Sequence, residues 1–131
     1  MSSEIANTIL LVDDNPDSRE ILRFRLWDVG SFNIVVASNG LEALDVGWVV
    51  RPDLVFMDLR MPIMDGYEAT RALHGTDWGK KTPVIGVTTF YSREQWRRAL
   101  SAGCCDLIAH PIRDCGELKT KLDGLLSAEA A

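Results

Sequence analysis

Five short apolar runs punctuate the chain: Ile9–Val12, Ile34–Ala37, Leu54–Met57, Val84–Val87 and Leu107–Ala109. They are nearly continuous rather than alternating with polar residues, and most are rich in leucine or β-branched side chains. This is the pattern of strands covered on both faces, as in a parallel sheet. The runs begin 25, 20, 30 and 23 residues apart. Each interval has room for a crossover helix and two short loops.

The intervals themselves carry helical spacing. In the first, Pro16 stands early, where a missing N–H costs nothing, and Ile21, Leu22, Leu26 and Val29 form an apolar face. The second predicts a helix from Leu41 to about Val50, with Leu41, Leu44 and Trp48 in register, stopped by Arg51-Pro52-Asp53. The third starts near Gly66 and ends around His74-Gly75, before a loop to Pro83. The fourth covers about Ser92 to Ala102, with Trp96, Ala99 and Leu100 inward and Gly103 as its stop. The fifth covers about Cys115 to Leu126, with Leu118, Leu122 and Leu125 or Leu126 inward. Strand and helix alternate five times, which predicts a doubly wound α/β fold. Residues 1–131 are expected to form one domain with a core of about 6–127, and residues 1–6 and 128–131 are expected to be tails.

Composition narrows the function classes. The chain has 131 residues, Lys+Arg 14 against Asp+Glu 19, and a formal net charge of −5. Such a balance argues against nucleic-acid binding by the whole surface. No apolar run approaches a membrane span, and the start, Met1-Ser2-Ser3-Glu4, does not look like a signal peptide. The expectation is a cytoplasmic protein. Cys104, Cys105 and Cys115 contain no CxxC pair, so reduced thiols are expected and a zinc site is not. His74 reads as a surface histidine.

In an open parallel sheet, ligands bind beyond the carboxyl ends of the strands. The residues just past the apolar runs are Asp13 and Asp14, then Asp58, then Thr88 and Thr89, then His110 followed by Pro111. Taken singly, these residues are ordinary: an Asp pair after a strand often caps a helix, and a threonine often ends a strand. Together they put three carboxylates on one rim, where they repel one another unless a cation joins them. A hard divalent ion such as Mg²⁺, or Mn²⁺ in its place, suits that oxygen donor set. A carboxylate can also attack a phosphoryl group to form an aspartyl phosphate, and the Thr88 hydroxyl can donate to a phosphoryl oxygen.

These segments resemble the receiver family of two-component signalling. Leu10-Leu11-Val12-Asp13-Asp14-Asn15-Pro16 is similar to the family's first strand and acidic pair. Leu54 through Pro62, followed by Met64-Asp65-Gly66-Tyr67, resembles its phospho-acceptor segment and is the most specific part. Thr82 through Thr88 resembles the fourth strand with its switch hydroxyl, and Ala102-Gly103 with Asp106 to Pro111 resembles the last strand and its cis-proline turn. The resemblance covers about residues 6 to 127. It implies a five-stranded sheet of order 2-1-3-4-5. It makes Asp58 the acceptor of a phosphoryl group from a histidine kinase or phosphotransfer protein, with Thr88 bonding that group. It implies Mg²⁺ held by Asp14, Asp58 and the Arg60 backbone carbonyl, with Asp13 acting partly through water.

Three positions depart from the family pattern. His110 replaces a near-invariant lysine, Leu107 stands where an aromatic switch residue is favoured, and Thr89 occupies a position usually held by a small residue. The metal half of the motif is intact; the sensing half is altered. The leading expectation is a response regulator that signals through protein contacts and is not an enzyme beyond its own phosphorylation and dephosphorylation. No output domain is expected in this length. The second reading is a phosphorylation-independent binding module of the same fold. The third, an Mg²⁺-dependent phosphatase-like enzyme, lacks an Asp-x-Asp nucleophile–acid pair. Arg93, Arg97 and Arg98, with Phe90, Tyr91 and Trp96 nearby, make the Ser92–Ala102 helix the expected face for a downstream protein. The opposing expectation is a solvated face with Trp96 in the core. Pairing of two copies is a further expectation; direct nucleic-acid and membrane partners are not expected.

Overall fold

A computed structural model describes residues 7–89, 92–112 and 114–130. The strands are β1 (Thr8–Val12), β2 (Asn33–Ala37), β3 (Leu54–Asp58), β4 (Val84–Thr88) and β5 (Asp106–Ala109). The helices are α1 (Pro16–Val29), α2 (Gly40–Val50), α3 (Gly66–His74), α4 (Arg93–Ala102) and α5 (Cys115–Ala130). All four pairings are parallel, in the order β2-β1-β3-β4-β5. Fold class and strand order match the expectation.

Successive side chains along a strand point to opposite faces, and the core divides accordingly. Leu10, Val12, Val55 and Met57 pack toward α2, α3 and α4. Ile9, Leu11, Leu54 and Phe56 pack toward α1 and α5, meeting Leu22, Leu26, Leu118 and Leu122. The inner strands are buried along nearly their whole length, as continuous apolar runs require. β2 lies at the edge and is only partly covered.

Several inward faces differ from their predicted composition. In α2 the buried residues are Gly40, Ala43 and Gly47. Trp48 is 58% and Val49 77% exposed, and Leu41 is exposed as well. The reason lies in distant sequence: the Trp78 ring packs so closely that a Cβ on Gly47 would lie 2.1 Å from it. In α4 the inner residues are Ala99 and Ala102, Trp96 is half-buried and Leu100 is exposed. α1 buries Leu22 and Leu26 and leaves Ile21 exposed. α5 runs to Ala130 rather than stopping near Leu126, because Ala128, Glu129 and Ala130 are good helix formers with no Gly or Pro stop. His74 is half-buried, its Nε2 2.9 Å from the Thr82 carbonyl oxygen, and is not a surface histidine. Residues 1–6, Phe90, Tyr91 and residue 131 lie outside the described residues, and so do the expectations placed on them. Among the described residues, no helix is long and apolar enough to cross a membrane.

Candidate phosphoryl and metal site at the strand ends

Register places the rim. Asp58, the last residue of β3, pairs with Val87, and Thr88 pairs with Ala109, the residue before His110. β1 ends one residue before Asp13. Asp13, Asp14, Asp58, Thr88, Thr89 and His110 all line one cleft of about 220 Å³. Every side chain predicted for the site is therefore in one place, together with Arg60.

The acidic pair is not spent on capping the following helix, because another residue does so. Asn15 is the N-cap of α1, its side chain accepting from the Asp17 and Ser18 N–H groups at 2.8 and 3.2 Å. Asp13 Oδ1 accepts from the Asn15 N–H at 2.9 Å. The Arg19 guanidinium donates to the Asp13 carbonyl oxygen at 2.8 Å and steadies that turn. Neither Asn15 nor Arg19 was expected at the site. The Asn-Pro pair opening a helix was the signal available for Asn15.

Asp58 is held from the other side. Its Oδ1 accepts from the Arg60 N–H at 3.1 Å. Gly66 brings the start of α3 against this strand end: a Cβ there would lie 2.2 Å from the Asp58 carbonyl oxygen and 2.7 Å from Leu59 Cα. Asp65 and Glu68 then close a reciprocal capping box over the first turn of α3.

One carboxylate oxygen from each of Asp13, Asp14 and Asp58 lies within 4.8 Å of the others. Burial is the main cause that pushes the Asp58 carboxyl from its ordinary 3.8 up to about 7. The charges of Asp13 and Asp14 and a hydrogen bond with Asp13 act in the same direction, against the bond from Arg60. Three crowded carboxylates need either a proton or a cation to offset their repulsion. A hard divalent cation with oxygen ligands fits this donor set.

The side of the cleft formed by Thr88 and His110 is arranged differently. Thr88 is buried, and its hydroxyl donates to the Gln95 side-chain oxygen at 3.0 Å. Gln95, on α4, was not singled out by the sequence, since nothing in a lone helical glutamine marks its partner. The His110 N–H donates to the Thr88 carbonyl oxygen at 2.8 Å. His110 Nδ1 is buried with no hydrogen-bond partner, and the His110–Pro111 peptide is cis. Leu107 is fully buried in the core on the α4 side of the sheet.

Comparison with known proteins gives a consistent result. The model of the response regulator receiver domain matches residues 9–123. The polar-differentiation response regulator DivK of Brucella anthropi is 34% identical over 105 residues, covering 80% of this chain and 85% of DivK. The signal transduction histidine-protein kinase BarA of Shigella flexneri is 33% identical over 112 residues, which are 86% of this chain but 12% of BarA. The solved receiver domain of the sensor histidine kinase PA1611 from Pseudomonas aeruginosa, described with a magnesium ion coordinated in its active site cleft, is similar with a TM-score of 0.84. It is 29% identical, over 94% of this chain and 99% of that one. The same unit thus forms most of a short regulator and a small part of a large kinase.

Proposed function

The chain belongs to the response-regulator receiver family, a family of phospho-accepting signalling domains served by histidine kinases or phosphotransfer proteins, and from that premise we propose that Asp58 is its phospho-acceptor. The observation that carries this reading is the position of Asp58: the end of the central strand, with its carboxylate beside Asp13 and Asp14 and in one cleft with Thr88 and His110. A carboxylate oxygen of Asp58 attacks phosphorus, and the bond from phosphorus to the donor's nitrogen or oxygen breaks. The electron pair leaves with the donor, and an acyl phosphate remains on Asp58.

Asp13, Asp14 and Asp58 would hold Mg²⁺, with the Arg60 carbonyl as a further oxygen ligand. When bound, the ion offsets negative charge on the carboxylates and on the incoming phosphoryl oxygens. Thr88 supplies one hydroxyl donor to the transferred group. The described chain acts as one receiver unit, and it is a signalling domain rather than an enzyme with a separate substrate. Its output runs through protein contacts on α4, where Arg93 and Arg97 are exposed. Three free thiols are consistent with a reducing, cytoplasmic setting.

The test is treatment with a small phosphodonor and Mg²⁺, followed by intact mass. A single phosphoryl adduct that is absent from Asp58→Asn supports the reading. An adduct that persists in Asp58→Asn, or no adduct at any donor concentration, rejects it.

A further inference from the structure

Next to the acidic cleft, on the side facing α4, lies a second and larger groove of about 480 Å³. It runs between the turn after β3 and α4, and its polar walls are Arg60, Asp65, Tyr67, Gln95 and Arg98. Two guanidinium groups, those of Arg60 and Arg98, face it against a single carboxylate, that of Asp65. Neither Arg60 nor Arg98 makes an ion pair among the described residues. The Arg98 guanidinium lies over the Tyr67 ring, 4.0 Å from its centroid. Tyr67 is 5% exposed, and its buried hydroxyl has no hydrogen-bond partner. A buried hydroxyl left unsatisfied is costly and calls for an explanation. The one acid in the groove, Asp65, is already committed to capping α3.

We propose that this groove binds an acidic peptide segment of a partner protein, with one carboxylate taken by Arg98 and Arg60. Arginine suits this role because its planar fork matches a carboxylate. With Arg98 drawn from the Tyr67 ring toward the ligand, the orphaned Tyr67 hydroxyl gains an acceptor from that ligand. The size and openness of the groove favour a short chain over a single small anion. The chain as a whole is acidic, with a formal net charge of −5, so an acidic segment that docks at all must find a local donor cluster such as this. The binding rests on these donors and not on phosphorylation of Asp58, so the two readings fail separately.

The probe is an acetylated, amidated tetraglutamate, titrated into the Asp58→Asn protein and followed by amide NMR and calorimetry. Tetraglutamine and inorganic sulfate serve as comparisons. Tetraglutamate is expected to shift amides at residues 59–67 and 92–98, more weakly as salt rises. Arg98→Ala should weaken it by about tenfold or more, the loss of a charge-assisted pair. Tyr67→Phe should weaken it by about threefold or more while leaving the thermal midpoint unchanged or raised, because it removes an orphaned hydroxyl. Equal binding of tetraglutamine, the same shifts from sulfate alone, no effect of either substitution, or a lowered midpoint in Tyr67→Phe would each overturn the proposal.

Discussion

The Thr88 hydroxyl donates to the side-chain oxygen of Gln95 at 3.0 Å. A hydroxyl has one proton to give, so in the proposed role of holding a phosphoryl oxygen Thr88 must first leave Gln95. Phosphorylation and the Thr88–Gln95 bond therefore compete. Replacing Gln95 with leucine removes the competitor, a neutral hydrogen bond worth about 0.5–1.5 kcal/mol. The phosphorylated fraction at a limiting phosphodonor concentration should rise about two- to tenfold, read by intact mass. A fraction that falls would mean that Gln95 assists rather than restrains Thr88.

The proposed metal site consists of the same three carboxylates that repel one another. Asp14→Ala and Asp58→Ala should each weaken Mg²⁺ or Mn²⁺ binding by about tenfold or more, since each removes a charged oxygen ligand. Calorimetry measures this. Variants that bind as well as the parent would place the ion elsewhere.

The raised proton affinity of Asp58 has a consequence for stability. The folded value of about 7 lies above the ordinary 3.8, so folding takes up a proton between them. The stabilisation from this group is fully present below about 3.8 and is lost as pH rises through about 7. With divalent cations chelated, the chain should be less stable to urea at about pH 8 than at about pH 6. Asp58→Asn should remove most of that difference. An equal drop in Asp58→Asn would assign the slope to other groups.

The sequence resemblance puts His110 where the family is expected to carry a lysine, and its Nδ1 is buried without a partner. A permanent ammonium there would add a charge-assisted hydrogen bond to the phosphoryl group, worth about 1.5–3 kcal/mol. His110→Lys should therefore raise the phosphorylated fraction at limiting donor by about one decade. Amide exchange around residues 92–110 should also respond more strongly to phosphodonor. No gain in either readout would show that the histidine already does the lysine's work.

Gly66 lies against the strand end that carries Asp58, with no room for a methyl group. Gly66→Ala should destabilise the fold by about 1–3 kcal/mol, the usual cost of overpacking, and should disturb the acceptor more than the distant α5. Urea denaturation and amide shifts around residues 56–62 test both parts.

The architecture was legible because its signals are local. Continuous apolar runs marked the strands, and their trailing Asp13, Asp14, Asp58 and Thr88 marked the rim. The helix faces were read less well, because a helix shows which residues are apolar but not what it meets. Leu41 and Trp48 fitted the apolar period of α2, yet Trp78, thirty residues from Trp48, takes the space against Gly47. Gln95 escaped for the same reason: its role lies in a bond to a residue on another element. His74 was missed because its partner, the Thr82 carbonyl, is a backbone group that side-chain chemistry does not reveal.

The close approach of Trp78 to Gly47 also fixes how α2 can change over generations. Gly40, Ala43 and Gly47 are sealed inside, and a Cβ at either glycine meets a neighbour at 3.0 Å or less. Leu41, Trp48 and Val49 stand in water, where polar replacements remove little contact and should improve solubility. Mutational tolerance at these six positions should therefore run with side-chain size, the reverse of an ordinary amphipathic helix: Leu41, Trp48 and Val49 are free to drift, and Gly40, Ala43 and Gly47 are held.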